Sequence, residues 1–92
     1  MPSPNSASIS TPLREIEWQI VVHNDPVNLM SYVQWVFESY FGMDVATARR
    51  YMLQVHNNGR AVVARGQREQ METDAQAMHS YGLWATIEPS TP

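Results

Sequence analysis

The stretch His23-Asn24-Asp25-Pro26-Val27-Asn28-Leu29-Met30-Ser31-Tyr32 separates two kinds of hydrophobic pattern, and its reading decides the fold. Before it, Glu15 to Asn24 alternates around Trp18-Gln19-Ile20-Val21-Val22, with Ile16, Trp18, Ile20 and Val22 on one side. That is the period of a strand with one buried face. After it, apolar residues at 29, 30, 32, 33, 36, 37, 40 and 41 follow helical spacing. Pro26 ends the strand and Asn28 suits the N-cap of the helix. Strand-to-helix junctions leave backbone N–H groups and side chains free to converge on a ligand. Asn24, Asp25 and Asn28 all fall in this one turn.

Working outward, Gly42 stops the first helix and Asp44 caps a second, which runs to about His56 with Ala48, Tyr51, Met52 and Val55 on its buried face. Asn57-Asn58-Gly59 is turn chemistry. Arg60 to Arg65 is a short strand whose continuous Ala61-Val62-Val63-Ala64 run suits a central position covered on both sides. Gln67 to Tyr81 is a third helix with Met71, Ala75, Met78 and Tyr81 on its apolar stripe, and Glu69, Glu72, Asp74 and Gln76 elsewhere. Gly82 ends it, and Leu83 to Glu88 is the last strand. The order β-α-α-β-α-β predicts an α+β fold: a small single-domain sandwich, with a three-stranded antiparallel sheet packed against three helices. The expected organisation is a flexible N-terminal tail over 1–14, a core domain over 15–88 and a C-terminal tail over 89–92.

The whole chain has 92 residues, room for one small domain that buries only roughly 60–65% of its unfolded surface. It has no cysteine, which excludes disulfides and thiolate metal sites. Nine acids against six bases, all arginine, give a formal charge of −3 and argue against nucleic acid as the main partner. No apolar run approaches a membrane span, and the first residues have neither a basic n-region nor an apolar h-region. The expected setting is cytoplasmic, without a membrane partner.

Met52, Val55 and His56 stand at i, i+3 and i+4, and Met30 and Val33 at i and i+3, so both sets can face one hole. Taken alone, each has an ordinary role: apolar stripes as core, Asn24, Asp25 and Asn28 as turn and cap residues, His56 as a helix C-terminal histidine. His23, His56 and His79 lack metal-ligand spacing, and no phosphate loop, nucleophile elbow or cofactor motif is present. The chain therefore reads as a non-enzyme with no cofactor.

Three motifs in order carry a family resemblance: Asn24-Asp25-Pro26-Val27-Asn28-Leu29-Met30, then Phe41-Gly42-Met43, then Met52-Leu53-Gln54-Val55-His56-Asn57-Asn58-Gly59-Arg60-Ala61-Val62-Val63. With Glu69 and the Gly82-Leu83-Trp84-Ala85-Thr86 ending, the chain resembles the ClpS family over about residues 15 to 88. The resemblance implies a monomeric adaptor that binds a free N-terminal Leu, Phe, Tyr or Trp on N-degron substrates. The adaptor passes these to a Clp AAA+ ATPase, ClpC-type or ClpA-type, which feeds the ClpP protease. It also implies that Asn24, Asp25 and His56 hold the ligand's amino group, and that Asn28, Met30, Val33, Met52 and Val55 form the hydrophobic pocket. Met30 would be the gatekeeper against β-branched residues, and Glu69 would meet the ATPase. Pro26 stands where many members have a second Asp, and Asp74 where many have a Lys on the ATPase-facing helix. The Pro26 form and the Gly-Leu-Trp ending look like the actinobacterial branch. The alternative is a ribosomal-stalk-like interaction domain with no peptide pocket.

Overall fold

The computed structural model describes residues 16–90, so the tail read over 1–14 lies outside the described residues. The elements are β1 (Trp18–His23), α1 (Met30–Phe41), α2 (Val45–Asn58), β2 (Arg60–Gly66), α3 (Arg68–Ser80) and β3 (Trp84–Pro89). The sheet is antiparallel with the order β2-β1-β3. All three helices pack on one of its faces, around a core that includes Ile20, Val22, Val36, Phe37, Met52, Met71 and Met78. Among the described residues no helix is long and apolar enough to cross a membrane.

Two expectations about the strands are corrected. The central strand is β1, not β2, and Gln19, Ile20, Val21 and Val22 are all buried. Ile16, expected on the buried face, lies before the strand and is exposed. Val21 faces away from the helices yet has 0% exposure. The reason is a polar lattice on that face. Arg60 on β2 and Glu88 on β3 form an ion pair (Nη2–Oε2, 2.7 Å) that crosses β1. Their partners on β1 are His23 and Gln19, so the bridge passes over Val21 between them. Gln19 Nε2 also donates to Glu88 (2.9 Å), and Arg65 Nε to Gln19 Oε1 (3.3 Å). The apolar run in β2 comes from a bulge, not from a central position. Ile20 pairs with Ala64 and Val21 with Val62, which leaves Val63 as the extra residue, turned into the core.

The helix ends follow local chemistry, with one exception. Asp44 caps α2, its Oδ1 accepting from Thr47 N at 2.7 Å, and Gly42 and Gly59 end α1 and α2 at positive φ. Asn28, expected at the N-cap of α1, is not there: Leu29 occupies that position without a side-chain cap bond. The Asn28 carboxamide is drawn away to Asp25 and to Gly82 O. On α3, Asp74 is a further correction. It is buried, accepting from Tyr40 Oη (2.6 Å) and Gln70 Nε2 (2.9 Å), and so ties α3 to α1. This bond pushes the Tyr40 hydroxyl up to about 12, with burial adding to it. Pro89, read as tail, is the last residue of β3 and pairs with Trp18, while Ser90 N donates to Glu17 O.

Candidate functional site

Antiparallel pairing brings the end of β1 beside the starts of β2 and β3, so three turns meet at one end of the sheet. The β1–α1 turn is pinned to both others. Asn24 N donates to Gly59 O (2.9 Å) in the α2–β2 turn, and Asn28 Nδ2 to Gly82 O (2.9 Å) in the α3–β3 turn. The first bond sets Asn24 and Asp25 beside the last turn of α2, which carries His56.

Between these turns, α1 and α2 opens a cavity of about 480 Å³. Asn24, Asp25, Asn28, Met30, Val33, Met52, Val55 and His56, the residues nominated from the sequence, all line it. Its apolar body is built from buried side chains: Val22, Val33, Met52, Val55 and Leu83. Its rim carries the exposed residues Asn24, Pro26, Leu29, Met30, Ser31 and His56. Leu83 and Val22 were missed. Val22 reads as strand core, and Leu83 stands alone between Gly82 and β3, with no periodicity to single it out. Glu69 sits apart, exposed in the first turn of α3, on a groove of about 710 Å³ shared with Glu72, Gln76, His79 and the β3 edge.

The electrostatics of the mouth centre on Asp25. Its Oδ1 accepts from Val27 N and Asn28 N, both at 2.9 Å, and its Oδ2 from Asn28 Nδ2 at 3.1 Å. The backbone N–H of Asn28 is the largest cause holding this carboxyl below its usual range. Partial burial pushes the other way but is the smaller influence, and the Asn28 carboxamide and Val27 N–H add to the lowering. Asp25 is therefore an anion at neutral pH, with acceptor capacity left on Oδ2. His23 also borders the cavity, but its Nε2 lies 2.8 Å from Thr86 Oγ1 and its ring packs 4.7 Å from that of Trp84. Burial lowers its pKa, with the Arg60 charge acting in the same direction. No cluster of three or more His, Asp or Glu suited to a metal occurs among the described residues.

Such a site suits one kind of ligand: an apolar side chain attached to a group rich in hydrogen-bond donors. Fold and cavity together define a small binding domain with a preformed hole. The family described as ATP-dependent Clp protease adaptor protein ClpS matches residues 14–86. The chain belongs to the ClpS family of Clp protease adaptors. It is 57% identical over 79 residues to the ClpS adapter of Streptomyces coelicolor, covering 86% of this chain and 82% of that one. It is 54% identical over 71 residues to that of Mycobacterium tuberculosis H37Rv, covering 77% and 70%. The structure of Agrobacterium tumefaciens ClpS2 bound to L-phenylalaninamide superimposes with a TM-score of 0.80 at 30% identity, over 84% of this chain and all of that one.

Proposed function

We propose that this chain binds the free N-terminal Leu, Phe, Tyr or Trp of N-degron substrates and delivers them to a Clp AAA+ ATPase for degradation by its partner protease. The observation that carries the reading is the cavity itself, an apolar body closed by Leu83 and Met52 under a mouth that holds an anionic Asp25. A protonated α-amine offers three N–H donors and one positive charge. In this reading the Asn24 side-chain oxygen, the Asp25 carboxylate and one ring nitrogen of neutral His56 accept them. The first side chain enters between α1 and α2, where burial contributes about 1.5–3 kcal/mol. Charge-assisted hydrogen bonds add about 1.5–3 kcal/mol each at best. Immobilisation offsets much of that sum, so micromolar affinity, roughly −8 kcal/mol, is the expected scale. Met30, 40% exposed on the cavity's rim, would narrow the mouth in this reading and disfavour side chains branched at Cβ.

Delivery would involve the exposed acid Glu69 on α3, remote from the pocket, so that ligand and ATPase need not compete for one surface. The proposed partner is a ClpC-type ATPase, and a monomer is the proposed state. Fluorescence anisotropy with labelled peptides tests the binding step. Peptides beginning with Leu or Phe should bind, while the same peptides N-acetylated or beginning with Met-Leu should not. Equal binding of free and acetylated peptides would remove the amine from the mechanism, and no binding at all would move the chain to a pocketless interaction role.

A further inference from the structure

Four of the seven large hydrophobic side chains left exposed among the described residues crowd one end of the molecule: Val27, Leu29, Met30 and Trp84. Leu29 and Met30 belong to the rim of the cavity already described. Val27, 84% exposed, and Trp84, 56% exposed, instead wall a second hollow of about 490 Å³. The two hollows share Asp25, Asn28 and Leu83, which form the partition between them. Gly82 completes the second hollow, and a side chain there would meet nothing within 4 Å, so the space is open. The Trp84 ring is braced by the His23 ring at 4.7 Å, itself fixed on Thr86. A braced, exposed indole beside a hole is a ready apolar contact surface.

A polypeptide held by its first residue must send its second across the rim. Successive side chains of an extended chain point to opposite sides. With the first side chain in one hollow, the second is directed across the shared partition towards the other. We propose that the Val27–Trp84 hollow is a subsite for an apolar side chain at the second position of the bound N-terminal segment. The proposal rests on the reading of the first cavity as the N-terminal-residue pocket. Among the described residues Asp25 is the only charged one lining it, and in this reading its remaining acceptor capacity serves the amine of the first residue, so the hollow offers area rather than charge.

The test compares two labelled peptides on the full chain, identical except that one begins Phe-Leu and the other Phe-Ser, each also N-acetylated. Partial burial of the second side chain should make Phe-Leu bind about three- to ten-fold tighter than Phe-Ser. Trp84→Ala and Val27→Ser should each shrink that ratio to within about two-fold and leave Phe-Ser binding unchanged. Val27→Ser, in an exposed turn, keeps the test available if Trp84→Ala does not fold. Equal binding of Phe-Leu and Phe-Ser to the unmodified chain overturns the subsite, and the first pocket stands if both bind better than their acetylated forms. A preference for Phe-Leu that persists in the variants puts the second side chain elsewhere and also overturns it. Binding of neither peptide overturns both readings.

Discussion

Asp25 and Asp74 are both carboxylates that the fold supplies with donors, but they sit in opposite kinds of place. Asp25 lies in a turn at the open end of the sheet and is held by groups from its own segment, Val27 N and both nitrogens of Asn28. Asp74 lies under the α1–α3 contact and takes its strongest donor from another element, Tyr40 Oη at 2.6 Å. Local donors fix a carboxylate without burying it, so one oxygen keeps capacity for a ligand. A donor from a distant helix closes the contact and turns the carboxylate into a structural tie. The same residue type thus serves the site in one region and the fold in the other, and substitutions can separate the two.

The largest effect should come from Asp25→Ala, measured by anisotropy with a Phe-initiated peptide. Loss of a charge-assisted bond to the ammonium should weaken binding about 10- to 100-fold. The fold should lose much less, because the freed Val27 and Asn28 N–H groups are near solvent and can bond water. Asp25→Asn sharpens the point, since it can keep the turn while removing the charge. Unimpaired binding by Asp25→Asn would show that charge at the mouth plays no part.

Next in size is Tyr40→Phe, which strips Asp74 of its donor from α1 while retaining the ring packing against Phe41 and Tyr81. Urea unfolding should show a loss of about 1–2 kcal/mol, at the lower end for a bond to a charged group because Tyr40 is half-buried. Peptide binding should not change. The alkaline limb gives a second readout. The Tyr40 hydroxyl titrates at 10.0 when unperturbed and at about 12 in the fold, so its contribution is complete below pH 10 and is lost as pH rises towards 12. The Phe variant should lack that part of the decline. A variant as stable as the parent would mean that the Tyr40–Asp74 bond gives no net stabilisation.

Acid and substitution test the two groups proposed to face the ammonium separately. Asp25, held below the usual carboxylate range, stays anionic as pH falls from 8 to 5, and its contribution fades only as pH falls through that lowered value. His56→Ala removes one acceptor at constant pH and should weaken binding of a Phe-initiated peptide about five- to thirty-fold. Unchanged affinity would exclude His56 as an acceptor.

These contrasts also mark what the sequence could and could not disclose. Periodicity identified all six elements, because α1 and α2 have clean apolar faces and Gly42, Asp44 and Gly59 punctuate them with local chemistry. It misplaced the central strand, because a bulge at Val63 and a salt bridge over Val21 are both products of strand pairing. The nominated pocket residues came from short spacings and the family motif, and they share one cavity. Leu83 was hidden because only the sheet brings β3 beside the β1–α1 turn. Asp74 carries no local sign of its burial, because a carboxylate off a helix's apolar stripe is usually exposed and its donor lies 34 residues away. Asn28 reads as a cap in the sequence because the turn-to-turn bond to Gly82, 54 residues away, has no local signature.

The smallest predicted effect concerns Pro26, which is exposed on the rim of the cavity. Pro26→Asp adds a charge to a mouth that already holds Asp25, so it should tighten binding of a free N-terminal peptide. An exposed pair contributes about 0.2–1 kcal/mol, hence a gain of about 1.5- to five-fold. The gain should shrink in about 1 M salt, where screening acts within roughly 3 Å. Removing proline also frees the backbone of the unfolded chain, at a cost to stability of about 0.4–1 kcal/mol. Pro26→Asn separates the two effects, because it frees the backbone without adding charge. Salt-sensitive tightening in the Asp variant alone would show that the mouth works through summed negative potential. Equal affinity in both variants would mean that Asp25, fixed by its own turn, already supplies the negative charge that the amine uses.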